Sequence, residues 1–169
     1  MSLSCEINKE EFNAGDTISL KVGLSIEDEK KGEEIAGGFL KLIIKGEEFA
    51  SVYTTDHAVQ GHFDRIAHPL FTVDTNLDEF DDGGMEKGFY EYHFEHVLAE
   101  SLPSSFYVRN VKGYCEIRYL VLIILKKPRG SGKDQVFELP FDVRAMPQVP
   151  LIGQETNLLQ PVISTDFVL

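Results

Sequence analysis

Hydrophobic residues recur at every second position in the clearest stretches of the chain. Ile18, Leu20, Val22, Leu24 and Ile26 alternate with Thr17, Ser19, Lys21, Gly23 and Ser25, the period of a strand with one buried face. Asn13-Ala14-Gly15-Asp16 ahead of it reads as a turn, because Asn and Gly accept backbone angles that other residues avoid. Leu40, Leu42 and Ile44 form a second inward face with Lys41 and Lys45 opposite, and Gly37-Gly38 and Gly46 bracket that strand. A third strand, Phe89 to Val97, sets Tyr90, Tyr92 and Phe94 against Glu91, His93 and Glu95. Phe137, Leu139, Phe141 and Val143 alternate with Glu138, Pro140 and Asp142 in a further strand. Pro140 has no N–H to give, so an open edge or a bulge is expected there. Ile117 to Leu125 is apolar on both faces and is expected to be the most buried strand.

No stretch carries a 3.6-residue repeat with caps, and only Glu95–Glu100 has the composition for a helical turn. Strands separated by turn clusters, without helical repeats, predict an all-β fold, an antiparallel immunoglobulin-like β-sandwich. Three connections look long: a charged one over Asp28–Ile35, a mixed one over His57–Pro69 and an acidic one over Asp74–Gly88. Long loops in a compact domain tend to carry function or motion. After Val143 the character changes, with Met146-Pro147-Gln148-Val149-Pro150 and then Pro161. Residues 1–145 are therefore expected to form the sandwich, and 146–169 an extended strap or linker.

Charge narrows the partner class. Sixteen Lys+Arg against 28 Asp+Glu leave a net charge of −12 over 169 residues, which argues against nucleic acid, whose phosphates are held by Lys and Arg. Cys5 and Cys115 are too few for a disulfide framework and are expected to be reduced. Met1-Ser2-Leu3-Ser4 lacks the basic and apolar regions of a signal peptide. The longest apolar run, Tyr119 to Leu125, is seven residues, against the ~20 that a spanning helix needs. A soluble, cytoplasmic protein is expected.

Candidate chemistry is sparse. His57, His62 and His68 share a loop with Asp56 and Asp64, while His93 and His96 lie three apart in a strand and so face opposite ways. No metal site follows from these positions. Asp74-Thr75-Asn76-Leu77-Asp78-Glu79 begins like a calcium-binding EF-hand loop, but its sixth position is Glu79 rather than Gly and its twelfth is Met85 rather than Glu. Gly130-Ser131-Gly132-Lys133 resembles the end of a phosphate-binding loop, yet Asp134 stands where Ser or Thr is required, so a hairpin tip is expected. Lys126, Lys127, Arg129 and Lys133 are the one dense basic cluster, and they are the candidate contacts for a phosphate or an anionic headgroup. No nucleophile elbow, paired catalytic carboxylates or activated cysteine appears. No enzyme and no cofactor are expected.

Gly88-Phe89-Tyr90-Glu91-Tyr92-His93-Phe94 leads to Leu102-Pro103-Ser104-Ser105-Phe106, then Gly113, Ile117-Arg118-Tyr119-Leu120-Val121 and Lys126-Lys127-Pro128. This order resembles the N-terminal domain of the arrestin family, in which an aromatic strand ends in a leucine-proline-serine-serine-phenylalanine turn before an isoleucine-arginine-tyrosine strand. Phe12 with Gly15-Asp16, and Ile35-Ala36-Gly37-Gly38, resemble the family's earlier elements in the same order. Locally, Pro103 is expected to end a strand, Ser104 and Ser105 to satisfy turn N–H groups, and Phe106 to re-enter the core. The receptor-regulating members sense phosphate with a buried polar core and paired lysines. Here the expected arginine falls near Pro140 or Phe141, and the first strand offers only Lys9. The chain therefore resembles more closely the broader group of trafficking adaptors and the arrestin-like retromer subunit.

The resemblance implies a non-enzymatic cytosolic adaptor or scaffold that binds membrane-protein cargo or trafficking machinery in endocytosis, protein transport or signalling. Its partners would be proteins, with at most peripheral association to endosomal or plasma membranes. Tandem domains in that group imply that 146–169 runs towards a C-terminal domain. Strand addition at an open sheet edge is the physical mode expected. The alternative is an ion- or small-ligand-binding module using the His57–His68 or Asp74–Glu86 loops.

Overall fold

A computed structural model describes residues 1–55, 61–128 and 132–146, with backbone alone for 54, 55 and 61–63. The strands are β1 (Ser2–Ile7), β2 (Glu11–Asn13), β3 (Thr17–Ile26), β4 (Phe39–Thr55), β5 (Gly61–Glu79), β6 (Gly88–Val97), β7 (Phe106–Asn110), β8 (Gly113–Lys126) and β9 (Gln135–Arg144), with one short helix, α1 (Glu29–Glu33). They form a three-stranded sheet, β1-β3-β6, facing a six-stranded sheet, β2-β9-β8-β4-β5, with β7 beside the first half of β8. All ladders are antiparallel except β2–β9, a three-residue parallel pairing. The expected antiparallel β-sandwich is the fold.

The alternating residues do what their period requires. Ile18, Leu20, Val22, Leu24 and Ile26 of β3 meet Leu40, Leu42 and Ile44 of β4 and Tyr119, Val121, Ile123 and Leu125 of β8 in one buried cluster. Burying apolar area of this kind, at ~25 cal/mol per Å2, is the main term holding two sheets face to face. Tyr92 crosses between the sheets, its hydroxyl donating to the Asp78 carboxylate at 2.7 Å. Burial and this acceptor both push the Tyr92 phenol well above its ordinary range.

Pro140 lies opposite Leu120 in β9. The Asp142 N–H, two residues on, donates outward to the Glu10 carbonyl at 2.9 Å, so the position that Pro140 leaves without a donor faces the same outer side. The open edge expected from its missing N–H lies there.

Several elements differ from the sequence reading. Gly46 does not end the second strand: β4 passes through it for nine more residues, and β5 pairs with β4 back from Gly61. The supposed loop His57–Pro69 is thus strand from Gly61, and the acidic stretch Asp74–Glu79 is strand as well. Ile117–Leu125 is central, yet its outer residues Leu120, Leu122 and Ile124 are only half-buried, because among the described residues no further layer packs over that face. The helical turn sits in the charged connection rather than at Glu95–Glu100. Asp28 caps α1 by accepting the Lys31 N–H at 2.9 Å, with Glu29 in the first turn and Lys30 and Lys31 in the last, as the helix dipole favours. The expected strap, from residue 147 on, lies outside the described residues.

Candidate binding surfaces

The turn that links β6 to β7 locks the sandwich rather than offering chemistry. Ser105 Oγ accepts the Val143 N–H at 2.9 Å, and Ser104 Oγ accepts the Ala145 N–H at 2.8 Å. The Tyr119 hydroxyl donates to the Pro103 carbonyl at 2.6 Å, and burial raises the Tyr119 phenol to about 12. The serines thus satisfy the end of β9, not their own turn. Phe106 does not re-enter the core: it is 42% exposed. It stands where the inner face of the large sheet is no longer covered.

That uncovered end is the main surface missed by the sequence pattern. Beyond Gly46 and Tyr119, β4, β5, β7 and β8 continue as a four-stranded distal sheet. Its inner side carries Phe106, Val108, Val52 and Ile66, all exposed, with Ala50, Cys115 and Ile117 between them. On its outer side Phe49 stacks on Tyr114 at 5.3 Å between ring centroids. Arg118 lies over the Phe49 ring and pairs with Glu47 at 3.1 Å and Glu116 at 3.5 Å. Lys45 also pairs with Glu47, and these cations hold the Glu47 carboxyl below its usual range. Alternation fails to announce this region because neither face is deeply buried.

The basic hairpin tip is partly neutralised. Lys126 pairs with Asp134 at 3.0 Å and Lys127 with Glu34 at 2.9 Å. Arg129 lies outside the described residues, and Lys133 is exposed. Asp134 also accepts the Lys127 N–H, and these bonds lower its carboxyl. The strand β9 follows this tip.

The histidines are dispersed. His93 bonds Glu91 on the exposed face of β6, while His96 points the other way and stacks on Phe71. His68 stands opposite Glu48, and His57 lies outside the described residues. Among the described residues, no three His, Cys, Asp or Glu side chains are grouped to hold a metal. The acidic stretch is used internally, since Asp74 pairs with Lys41 at 2.8 Å and Asp78 accepts Tyr92.

Cys5 packs against the core, and burial, with Glu6 beside it, pushes its thiol up from 9.0 to about 11. A thiol is reactive as thiolate, so Cys5 is expected to alkylate with iodoacetamide far more slowly at neutral pH than after unfolding in urea. The unfolded chain releases this proton first, so stability is expected to fall as pH rises from 9 to about 11. Denaturation midpoints across that interval, compared with Cys5→Ala, check the sign.

The sheet edges differ in how well they are protected. β5 carries two register shifts, opposite Leu40/Lys41 and Gly46/Glu47, and Pro69. β9 carries Pro140, and both features are ordinary ways of blunting an edge. β6 has neither. It pairs with β3 over ten residues without a register shift and, among the described residues, with no strand on its other side. Phe89 and Val97 stand on its outer face, 63% and 61% exposed. The Leu98 N–H donates to Asp16 on the β3 side, so by alternation the N–H groups of Glu91, His93 and Glu95 face the open edge.

No curated protein matches the chain. Among solved structures, Spo0M, the sporulation control protein of Bacillus subtilis, is similar with 11% identity and a TM-score of 0.48. The likeness covers 86% of this chain and 49% of that one, so the chain spans about half the length of that structure. The description "Arrestin (or S-antigen), N-terminal domain" matches residues 3–148. That match takes in both sheets, the serine lock at β9 and the β6 edge, and the chain belongs to the arrestin family through this N-terminal domain.

Proposed function

We propose that the chain is a non-enzymatic adaptor that captures extended segments of membrane-protein tails or trafficking partners by strand addition. The observation that carries this reading is the regular, unblunted edge of β6. An edge of this kind supplies main-chain hydrogen bonds for affinity, while alternate side chains supply specificity. Phe89 and Val97 at its two ends offer apolar contacts to every second residue of an added strand, with Glu91, His93 and Glu95 between them. Family membership supports an adaptor rather than a catalyst. Work at the cytoplasmic face of endosomal or plasma membranes fits the same reading.

The test is His93→Pro. It removes an outward N–H while leaving the β3 ladder intact, a position where an edge strand tolerates proline. Capture of partners from a membrane fraction is expected to drop with H93P while the melting temperature moves only a few degrees. Undiminished capture by a folded H93P protein would place the partner elsewhere, and a wild-type chain that recovers no receptor, transporter or coat component would end the adaptor reading.

A further inference from the structure

We propose that a groove on the outer face of the distal sheet is a docking site for a short acidic segment of a partner protein, with Arg65 and Arg109 taking its carboxylates. The inference rests on the reading of the chain as a binder of protein segments, but it concerns a different face from the β6 edge.

One cross-strand row builds the groove. Arg109 of β7 stands opposite Tyr114 of β8, Tyr114 opposite Ser51 of β4, and Ser51 opposite Arg65 of β5. Residues directly opposite share a face, and this one is the face away from Leu40, Leu42 and Ile44. The two arginines are three strand spacings apart, about 14 Å at the backbone. Between them lies a groove of about 540 Å3 lined by Ser51, Arg65, Tyr107, Arg109, Tyr114 and Glu116, among others. The Tyr107 and Tyr114 rings, 6.1 Å apart, form its apolar wall.

Charge points to the ligand. Of the four described arginines, Arg118 and Arg144 are paired with carboxylates. Arg65 and Arg109 have no ion-pair partner among the described residues, although the chain carries 28 acidic residues. The carboxylate in the groove, Glu116, is turned to Arg118. Lys112, on the turn after β7, adds a further cation without an ion-pair partner among the described residues. Two guanidiniums kept free on a surface of the opposite sign are a fork for carboxylates.

Ser51, 3% exposed, forms part of the groove's floor between Tyr114 and Arg65.

The occupant follows from size and sign. With a net charge of −12, the chain repels an extended polyanion such as a nucleic acid or an anionic bilayer. A short segment that enters the groove feels mainly the local cations, since more distant charges are screened beyond ~8–10 Å. An extended peptide rises ~3.3 Å per residue, so acidic side chains four residues apart span the two arginines.

Fluorescence anisotropy on the full chain tests this with a labelled peptide of alternating Glu and Ser, its Gln/Ser analogue, and vesicles containing phosphatidylserine. The Glu peptide is expected to bind, more weakly at higher salt, and to lose about tenfold or more in R65Q/R109Q, with an unchanged melting temperature. The Gln analogue and the vesicles are expected not to bind. Equal affinity in wild type and variant, equal binding of the Gln analogue, or binding to vesicles in place of the peptide overturns the assignment. If the Glu peptide fails to bind while partner capture still falls with H93P, the groove alone is lost. If both fail, the adaptor reading falls with it.

Discussion

Gly46→Val is expected to lower stability by about 3 kcal/mol, the upper range for forcing atoms into a filled space. A Cβ at Gly46 would sit 2.7 Å from a Tyr119 ring atom and 2.9 Å from a Phe71 ring atom. One exposed ring could swing aside, but Tyr119 is 1% exposed and tied by its hydroxyl to the Pro103 carbonyl. Moving it therefore breaks the lock between β8 and the turn before β7. Moving Phe71 instead disturbs its packing on His96 and the register shift of β5 at this point. Valine favours strands elsewhere, so destabilisation here would identify the rings, not propensity, as the cause. Urea denaturation followed by tryptophan-independent probes, such as far-ultraviolet circular dichroism, measures it, since the chain has no Trp. A loss below about 1 kcal/mol would mean that the rings relax freely and that Gly46 is not a packing requirement.

The same glycine explains what was legible in the sequence. Where a strand has one face on the core, as Ile18–Ile26 and Phe89–Val97 do, alternation gives both the element and its orientation. Gly46 marks the point at which β4 leaves the covered part of the sandwich. Past it neither face is packed against the core, polar and apolar side chains are mixed along the strand, and no period remains to read. That is why Gly61–Pro69 resembled a loop and why β7, whose five residues are all exposed, left no signal. β1 was readable in principle from Leu3, Cys5 and Ile7, which pack against the core, but the run is short and polar between. The helix α1 has only a capping signal, Asp28 with Lys31, and five residues are too few for a period.

Binding surfaces were less legible still, because they depend on partners lost rather than present. Lys126 and Lys127 look like a free basic cluster until Asp134 and Glu34 are seen beside them. Arg65 and Arg109 are 44 positions apart in sequence, and only the cross-strand row of β7, β8, β4 and β5 brings them to one groove. The Leu102–Phe106 motif carried the family, and its residues prove structural: they hold β9 and Tyr119. Fold therefore transfers through this motif more directly than function does.

Ile123→Ala is expected to cost about 4 kcal/mol, and Ile124→Ala, its neighbour on the same strand, about 1 kcal/mol. Ile123 is fully buried in the second half of β8, opposite Leu42 of β4 and Phe137 of β9. Truncation there removes the transfer energy of three carbons and leaves a cavity, because strands on both sides hold β8 in place. At this chain length ~4 kcal/mol corresponds to a fall of roughly 10 °C in melting temperature. Ile124 points outward between Lys41 and Val136 and is half-buried, so its truncation exposes less and leaves no enclosed space. The two variants share residue type, strand and secondary-structure propensity, and differ only in the face they report. Equal losses would mean that the outer face of the large sheet is covered as fully as the inner one, which would contradict the two-layer arrangement. A large loss at Ile123 with a small one at Ile124 places the core of this arrestin-family domain on one side of β8 and leaves its other side, which continues into the Arg65–Arg109 groove, open to a partner.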